Sequence, residues 1–167
     1  MIESRLYGNY TLSFVYGAIN DEDRSGIIDL WLRNKALPSR ESAEQRVSQV
    51  VVLVREGSTG QIIGVNTVYP SKLRPDGPDY YLYRMFIDPL HRTHNMFVFV
   101  TRFAYEMLNQ RYRKGTPVGL AFFTENPKLQ RPGMMAHMRR TGYEYLGRGA
   151  KGYDYWRKLF VPADLPE

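Results

Sequence analysis

With 167 residues and no cysteine, the chain has no disulfide, thiolate nucleophile or thiolate metal site to draw on, and its length predicts one domain over 1–167 with its own core. The formal net charge is +6, and the segment from Lys128 to Lys158 carries much of the excess against only Glu144 and Asp154, a balance that suits an anionic ligand, an acidic protein partner or nucleic acid. No apolar run approaches the ~20 residues that cross a bilayer, and the start MIESRLYGNYTLSFVYG lacks an apolar signal core, so the expectation is a cytoplasmic protein without a membrane partner.

The stretch YTLSFVY (10–16) alternates and is rich in β-formers, which predicts a strand. NDEDRSGIIDLWLRNKALP follows, with acids in its first turn, basic residues in its last and Pro38 just beyond. Ile27, Leu30 and Trp31 share one face, so this reads as a helix with favourable dipole chemistry, weakened by Gly26. SRESAEQRVS predicts a second, polar helix. QVVVLVRE and QIIGVNTVY predict two strands joined by GSTG, and PSKLRPDGPD a loop.

YYLYRMFI (80–87) predicts a strand, with Tyr81, Tyr83 and Met85 on one side. It stops at Asp88-Pro89, and the apolar residues Met96, Val100, Phe103, Ala104 and Met107 then recur at helical spacing between Asn95 and Tyr112. PVGLAFFTE predicts a short central strand. RPGMMAHMRRTG predicts a helix with Pro132 in its first turn and Gly142 past its end. YEYLG and YDYWRKLF predict a closing hairpin through RGAKG. The order is β-α-α-β-β-β-α-β-α-β-β, a mixed α/β domain in which the strand-helix-strand unit around FIDPLHR requires a parallel crossover.

This order, with QIIGVNTVY, MFIDPLHR, FFTEN and RRTGYEYLG, resembles the GCN5-related N-acetyltransferase (GNAT) superfamily from Tyr10 to Phe160. The resemblance implies a central mixed, mostly antiparallel sheet with one parallel, splayed strand pair. It implies acetyl-CoA, or another acyl-CoA, in the opening of that pair, against Phe86 and Ile87, with its pyrophosphate on the turn that follows. The family's turn reads Arg or Gln, two residues, Gly, one residue, Gly or Ala. Here it is Arg92-Thr93-His94-Asn95-Met96-Phe97. Arg92 matches. Asn95 replaces the first glycine and is the residue that best tolerates positive φ without being glycine. Phe97 replaces the second small residue, which normally lets backbone approach phosphate. Asn126 falls at the family's other cofactor-contacting position, although its distance to Gly142 is longer than usual.

Acyl transfer to an amine needs the amine neutral, and for a lysine-like pKa of ~10.4 this costs about 4.6 kcal/mol at pH 7. The family's glutamate on the strand before the turn is replaced by Arg84, which leaves Glu125 as the candidate base. TENPKL also reads as a helix start, with Asn126 as cap and Pro127 at the first position. The family's tyrosine acid on the last helix falls on Met138, beside His137. The resemblance therefore implies an N-acyltransferase acting on a primary amine of a protein or small molecule. The alternative is a catalytically silent protein of the same fold that acts by binding another protein. Nucleic acid is the least favoured partner: most of the 13 tyrosines and 8 phenylalanines fall in patterns that core packing explains, and no RNA-module signature is present. His91 and His94 have no third ligand beside them, so no metal is expected.

Overall fold

The computed structural model describes residues 3–162. Its elements are β1 (Ser4–Tyr7), β2 (Tyr10–Phe14), α1 (Asp21–Arg33), α2 (Arg40–Val47), β3 (Val50–Glu56), β4 (Ile62–Lys72), β5 (Asp79–Ile87), α3 (Met96–Gln110), β6 (Gly119–Thr124), α4 (Pro132–Arg140), β7 (Glu144–Arg148) and β8 (Asp154–Leu159). Short 3-10 turns lie at Pro89–His91 and Pro127–Gln130. The hydrogen-bonded strand order is β1-β2-β3-β4-β5-β6-β8-β7.

Two corrections to the expected order follow. A strand precedes the first expected one: β1 forms a hairpin with β2 through Gly8-Asn9, with Gly8 at φ 55°. The expected loop at 70–79 is shorter, because β4 extends to Lys72 and β5 starts at Asp79. The parallel pair is present as expected. β5 meets β6 in parallel at Tyr81–Leu120 and Leu82–Ala121, and the ladder stops there although both strands run on.

The chain clusters into two compact units, residues 3–68 with 84–108 and residues 69–83 with 109–162. In the first, α1 and α2 cover one face of β3 and β4, where Ile27, Leu30, Trp31, Val47, Leu53, Ile62 and Val65 form one core cluster. Each such side chain contributes about 1.5–3 kcal/mol through burial. The Asn20 side chain caps α1 by accepting from the Asp23 N–H at 2.8 Å, and Ser39 caps α2 in the same way. Gly26 costs α1 helix propensity, but a Cβ there would meet Ile62 Cδ1 at 2.9 Å. Its place in the helix is explained by close packing of helix on strand. Buried Asp23 is ion-paired with Arg55. The expected apolar stripe of α3 is buried at every position from Met96 to Met107. β1 is tied to α3: Arg5 pairs with Glu106 at 2.7 Å and lies 5.0 Å over the Phe103 ring.

The second unit holds the start of β5 with β6, β8 and β7, and α4 joins β6 to β7. β8 pairs antiparallel with both β6 and β7. Trp156 is fully buried, and Phe122 packs edge-on to Tyr83 and Tyr143. α4 opens on Pro132 and ends where Gly142 takes φ 91°, which lets the Tyr143 N–H reach the Met138 carbonyl at 3.0 Å.

Candidate functional site: the turn between β5 and α3

β5 ends where the Asp88 N–H donates to the Ile63 carbonyl at 2.7 Å, the last bond before Pro89 removes a donor. The Asp88 carboxylate then organises the break. It accepts from the Leu90 N–H at 3.0 Å, from Arg33 Nη2 at 3.4 Å and from Asn34 Nδ2 at 3.4 Å. Burial opposes its ionisation, but the Leu90 N–H, the Asn34 amide and the Arg33 guanidinium outweigh burial and hold the carboxyl below its ordinary value. Arg33 also donates to the Ile62 carbonyl at 3.2 Å. The C-terminal end of α1 is thereby fastened to the end of β5.

The turn itself is held by its carbonyls. Arg92 Nε donates to the Ile87 carbonyl at 3.0 Å, and its guanidinium lies 5.9 Å over the Phe86 ring. The Tyr7 hydroxyl donates to the His94 carbonyl at 2.6 Å, while the Tyr7 ring packs on Phe99 at 4.2 Å. The Thr93 and Asn95 carbonyls accept from Met96 and Phe99 N–H groups. Tyr10 reaches His91 Nδ1 at 3.4 Å. In a trans peptide the N–H points opposite to the carbonyl, so fixing the His94 carbonyl on Tyr7 turns the Asn95 N–H to the other side.

Asn95 sits at φ 68°, the left-handed conformation for which glycine is the usual residue. α3 begins immediately afterwards, and its first turn holds no acidic residue. Its positive dipole end is therefore not neutralised by its own sequence. Arg92, Thr93, His94 and Asn95 are exposed, Met96 is buried and Phe97 is half-buried. Ile87 is buried against Gly64, where an added Cβ would collide with the Ile87 side chain. Phe86 packs against the core cluster. Phe86, Ile87 and Arg92 through Phe97 thus come together in the first unit.

Glu125 and Asn126 belong to the second unit, exposed at the end of β6. The Asn126 side-chain oxygen accepts from the Lys128 N–H at 3.0 Å and caps the Pro127–Gln130 turn, the capping role that TENPKL also suggests. Arg84 bonds to Gln49 in the first unit. Met138 is buried, and its neighbour His137 is half-exposed. Among the described residues no group of three His, Cys, Asp or Glu side chains is placed to hold a metal ion, and no helix is long and apolar enough to cross a membrane.

Sequence reasoning missed Tyr7, Tyr10, Arg33 and Asn34, all of which hold the turn. The signal for the first two was Tyr7-Gly8-Asn9-Tyr10, a Gly-Asn hairpin dipeptide between two aromatics. Nothing local marks Arg33 or Asn34, which act across 55 and 54 residues.

No protein-family model matches the sequence, and no curated protein matches it. Solved structures do match. A GNAT superfamily phosphinothricin acetyltransferase from Sinorhizobium meliloti, in complex with AcCoA, aligns with 93% of this chain and 94% of its own at a TM-score of 0.66 and 14% identity. The fold is that of the GCN5-related N-acetyltransferases. A ribosomal-protein-S5-alanine acetyltransferase from Vibrio fischeri aligns at 0.60 and 13% identity, over 95% of this chain and 97% of its own. An aminoglycoside 6'-N-acetyltransferase complexed with coenzyme A aligns at 0.57 and 12%, over 92% and 99%.

Proposed function

We propose that the chain is an N-acyltransferase that takes acetyl-CoA, or another acyl-CoA, and acylates a primary amine of a protein or small molecule. The observation that carries this is Asn95 at φ 68° at the acid-free head of α3. It does the conformational work of the glycine the turn lacks. A pyrophosphate suits that place, because oriented N–H groups and a helix N-terminus favour an anion. In this reading Arg92, Thr93, His94, Asn95, Met96 and Phe97 hold the pyrophosphate, and Phe86 and Ile87 line the strand end beside it. Asn126 is the outlying contact. The fold relatives solved with AcCoA and with coenzyme A support the choice of ligand.

The cofactor supplies an acyl group activated as a thioester. The chain supplies position and proton handling. Arg92 keeps one face of its guanidinium on Phe86 and its Nε on the strand-end carbonyl, so the charge is presented from a fixed base. Glu125 is the proposed proton acceptor for the amine. No acid is needed at buried Met138, because a thiol with a pKa of ~8.5 is a fair leaving group unaided.

Calorimetric titration with acetyl-CoA and with CoA tests the ligand, and label transfer from acetyl-CoA to an amine library tests the chemistry. Saturable binding with transfer is the expected result. Absence of binding at about millimolar ligand, an affinity worth only about 4 kcal/mol, overturns the reading. Binding without transfer to any amine instead favours the alternative, a catalytically silent protein of the same fold that acts by binding another protein, as do Arg84 and Met138 in the places of the family's glutamate and tyrosine.

A further inference from the structure

One face of the β6–β8 pair is aromatic in a way that core packing does not explain. Phe123 and Tyr155 stand opposite each other in register. Their rings lie 5.6 Å apart, and Tyr153, two residues before Tyr155, stacks on Phe123 at 5.9 Å with 14° between the planes. The other face of the same strands carries Phe122 and Trp156, which are buried. Phe123, Tyr153 and Tyr155 remain half-exposed. The Tyr155 ring lies so close to Gly149 that a Cβ there would collide with it. The hairpin therefore holds this ring in place.

Charge gathers at the same end of the sheet. Gln130 Nε2 donates to the Thr124 carbonyl at 3.1 Å and to the Gly152 carbonyl at 3.5 Å. This pins the Pro127–Gln130 turn to the tip of the β7–β8 hairpin and brings Lys128 and Arg131 to the end that carries Lys151. All three are exposed, and among the described residues none has an ion pair. Of the nearby carboxylates, Glu144 is taken by Arg157 at 2.7 Å, and buried Asp154 by Tyr145 at 2.8 Å and Arg148 at 3.4 Å. Among the described residues from Lys128 back to the end of β6, Glu125 is the remaining exposed carboxylate.

We propose that this face of the second unit binds single-stranded nucleic acid. The rings of Phe123, Tyr153 and Tyr155 stack on bases, and Lys128, Arg131 and Lys151 pair with phosphates. Rigid, half-exposed rings on adjacent strands with cations at the rim form the kind of surface that takes unstacked bases. An acidic peptide would use the charges but leave the rings without a matching partner. The surface uses no residue of the β5–α3 turn, but it lies in the same unit as Glu125 and Asn126 at the end of β6, which the acyl-transfer reading uses.

The test is fluorescence anisotropy of the full chain with labelled oligonucleotides of about 12 nucleotides, single-stranded RNA, single-stranded DNA and a duplex, at about 50 mM salt, where phosphate pairing is strongest. Single strands are expected to bind at least about tenfold more tightly than the duplex, and Phe123→Ala to weaken them about 5- to 100-fold, the usual loss of one stacking ring. Tyr153→Leu, which keeps apolar volume at the hairpin tip, is expected to weaken binding as well, and Phe123→Trp to restore it. Changing Lys128, Arg131 and Lys151 together to Gln should lower the slope of log affinity against log salt by about 0.7 for each phosphate no longer neutralised. Preference for RNA over DNA would assign a 2′-hydroxyl interaction, and equal affinity would assign stacking and phosphate alone; both support the proposal. No binding of single strands, equal binding of the duplex, or ring variants that bind as the parent does would overturn it.

Discussion

Replacing Asn95 with valine separates the conformation of the turn from its chemistry. At φ 68° an ordinary L-residue is strained by about 1–2 kcal/mol, with β-branched residues worst and asparagine among the least affected. Asn95→Val should therefore lose about 1–2 kcal/mol of stability, a fall of roughly 2–8 °C in melting temperature for a chain of this size. Asn95→Gly relieves the backbone but frees the unfolded chain by about 0.5–1 kcal/mol, so its melting temperature should stay close to the parent's. Ligand binding should separate the two variants more sharply. The angle at residue 95 sets the tilt of the 94–95 peptide, whose carbonyl rests on Tyr7. Valine there misdirects the backbone N–H of residue 95, and losing one hydrogen bond to a charged oxygen costs about 1.5–3 kcal/mol, or about 10- to 150-fold in Kd. Glycine should leave CoA affinity within about threefold, under 1 kcal/mol. Thermal unfolding followed by circular dichroism and calorimetric titration with CoA read both quantities. A valine variant that melts and binds as the parent does would refute the link between this backbone angle and anion binding.

Arg92→Ala removes both the Nε bond to Ile87 and the stacking on Phe86; CoA affinity should fall by about 1.5–3 kcal/mol, and an unchanged titration would take Arg92 out of the site. The Asp88 carboxyl has a folded pKa below its ordinary 3.8, so its stabilising contribution is complete above that value and is lost as pH falls through the depressed one. Stability curves against pH for the parent and for Asp88→Asn should be separated above pH 3.8 and draw together as pH falls below it; curves that keep the same separation down through the acid range would show that folding does not lower this carboxyl's pKa. The rate of acyl transfer should climb with pH, because the neutral fraction of an amine grows about tenfold per unit below its pKa. Glu125→Gln should flatten part of that climb, and an identical profile would assign the proton to water.

Periodic segments were legible because their side chains answer to one local rule each. The stripe from Met96 to Met107 needed only helical spacing, and α1 was announced by the acids of its first turn and the basic residues of its last. The parallel pair followed from the strand, break and helix around Asp88-Pro89. β1 was not legible: it is 4 residues long, mostly exposed, and its pattern SRLY shows no buried face. The part of the site that was missed is long-range. Tyr7 reaches His94 across 87 residues and Tyr10 reaches His91 across 81, and no local period encodes such pairings. Asn126 shows the reverse case: local cap chemistry and the family position fall on the same residue, and the geometry displays the cap.

β4 and β5 each pass from one unit to the other, at residues 68–69 and 83–84, so neither unit is continuous in the gene. A ribosome making this chain cannot finish the first before it has made the opening stretch of the second. Residues 69–83 emerge between the two parts of the first unit, and the strand that pairs with Tyr81 and Leu82 is encoded only after α3. At about 5–20 residues per second, the start of β5 waits for seconds with that edge open. No single cut in the gene can release either unit whole, and shuffling or fusing at 68 or 84 would divide a strand rather than a linker.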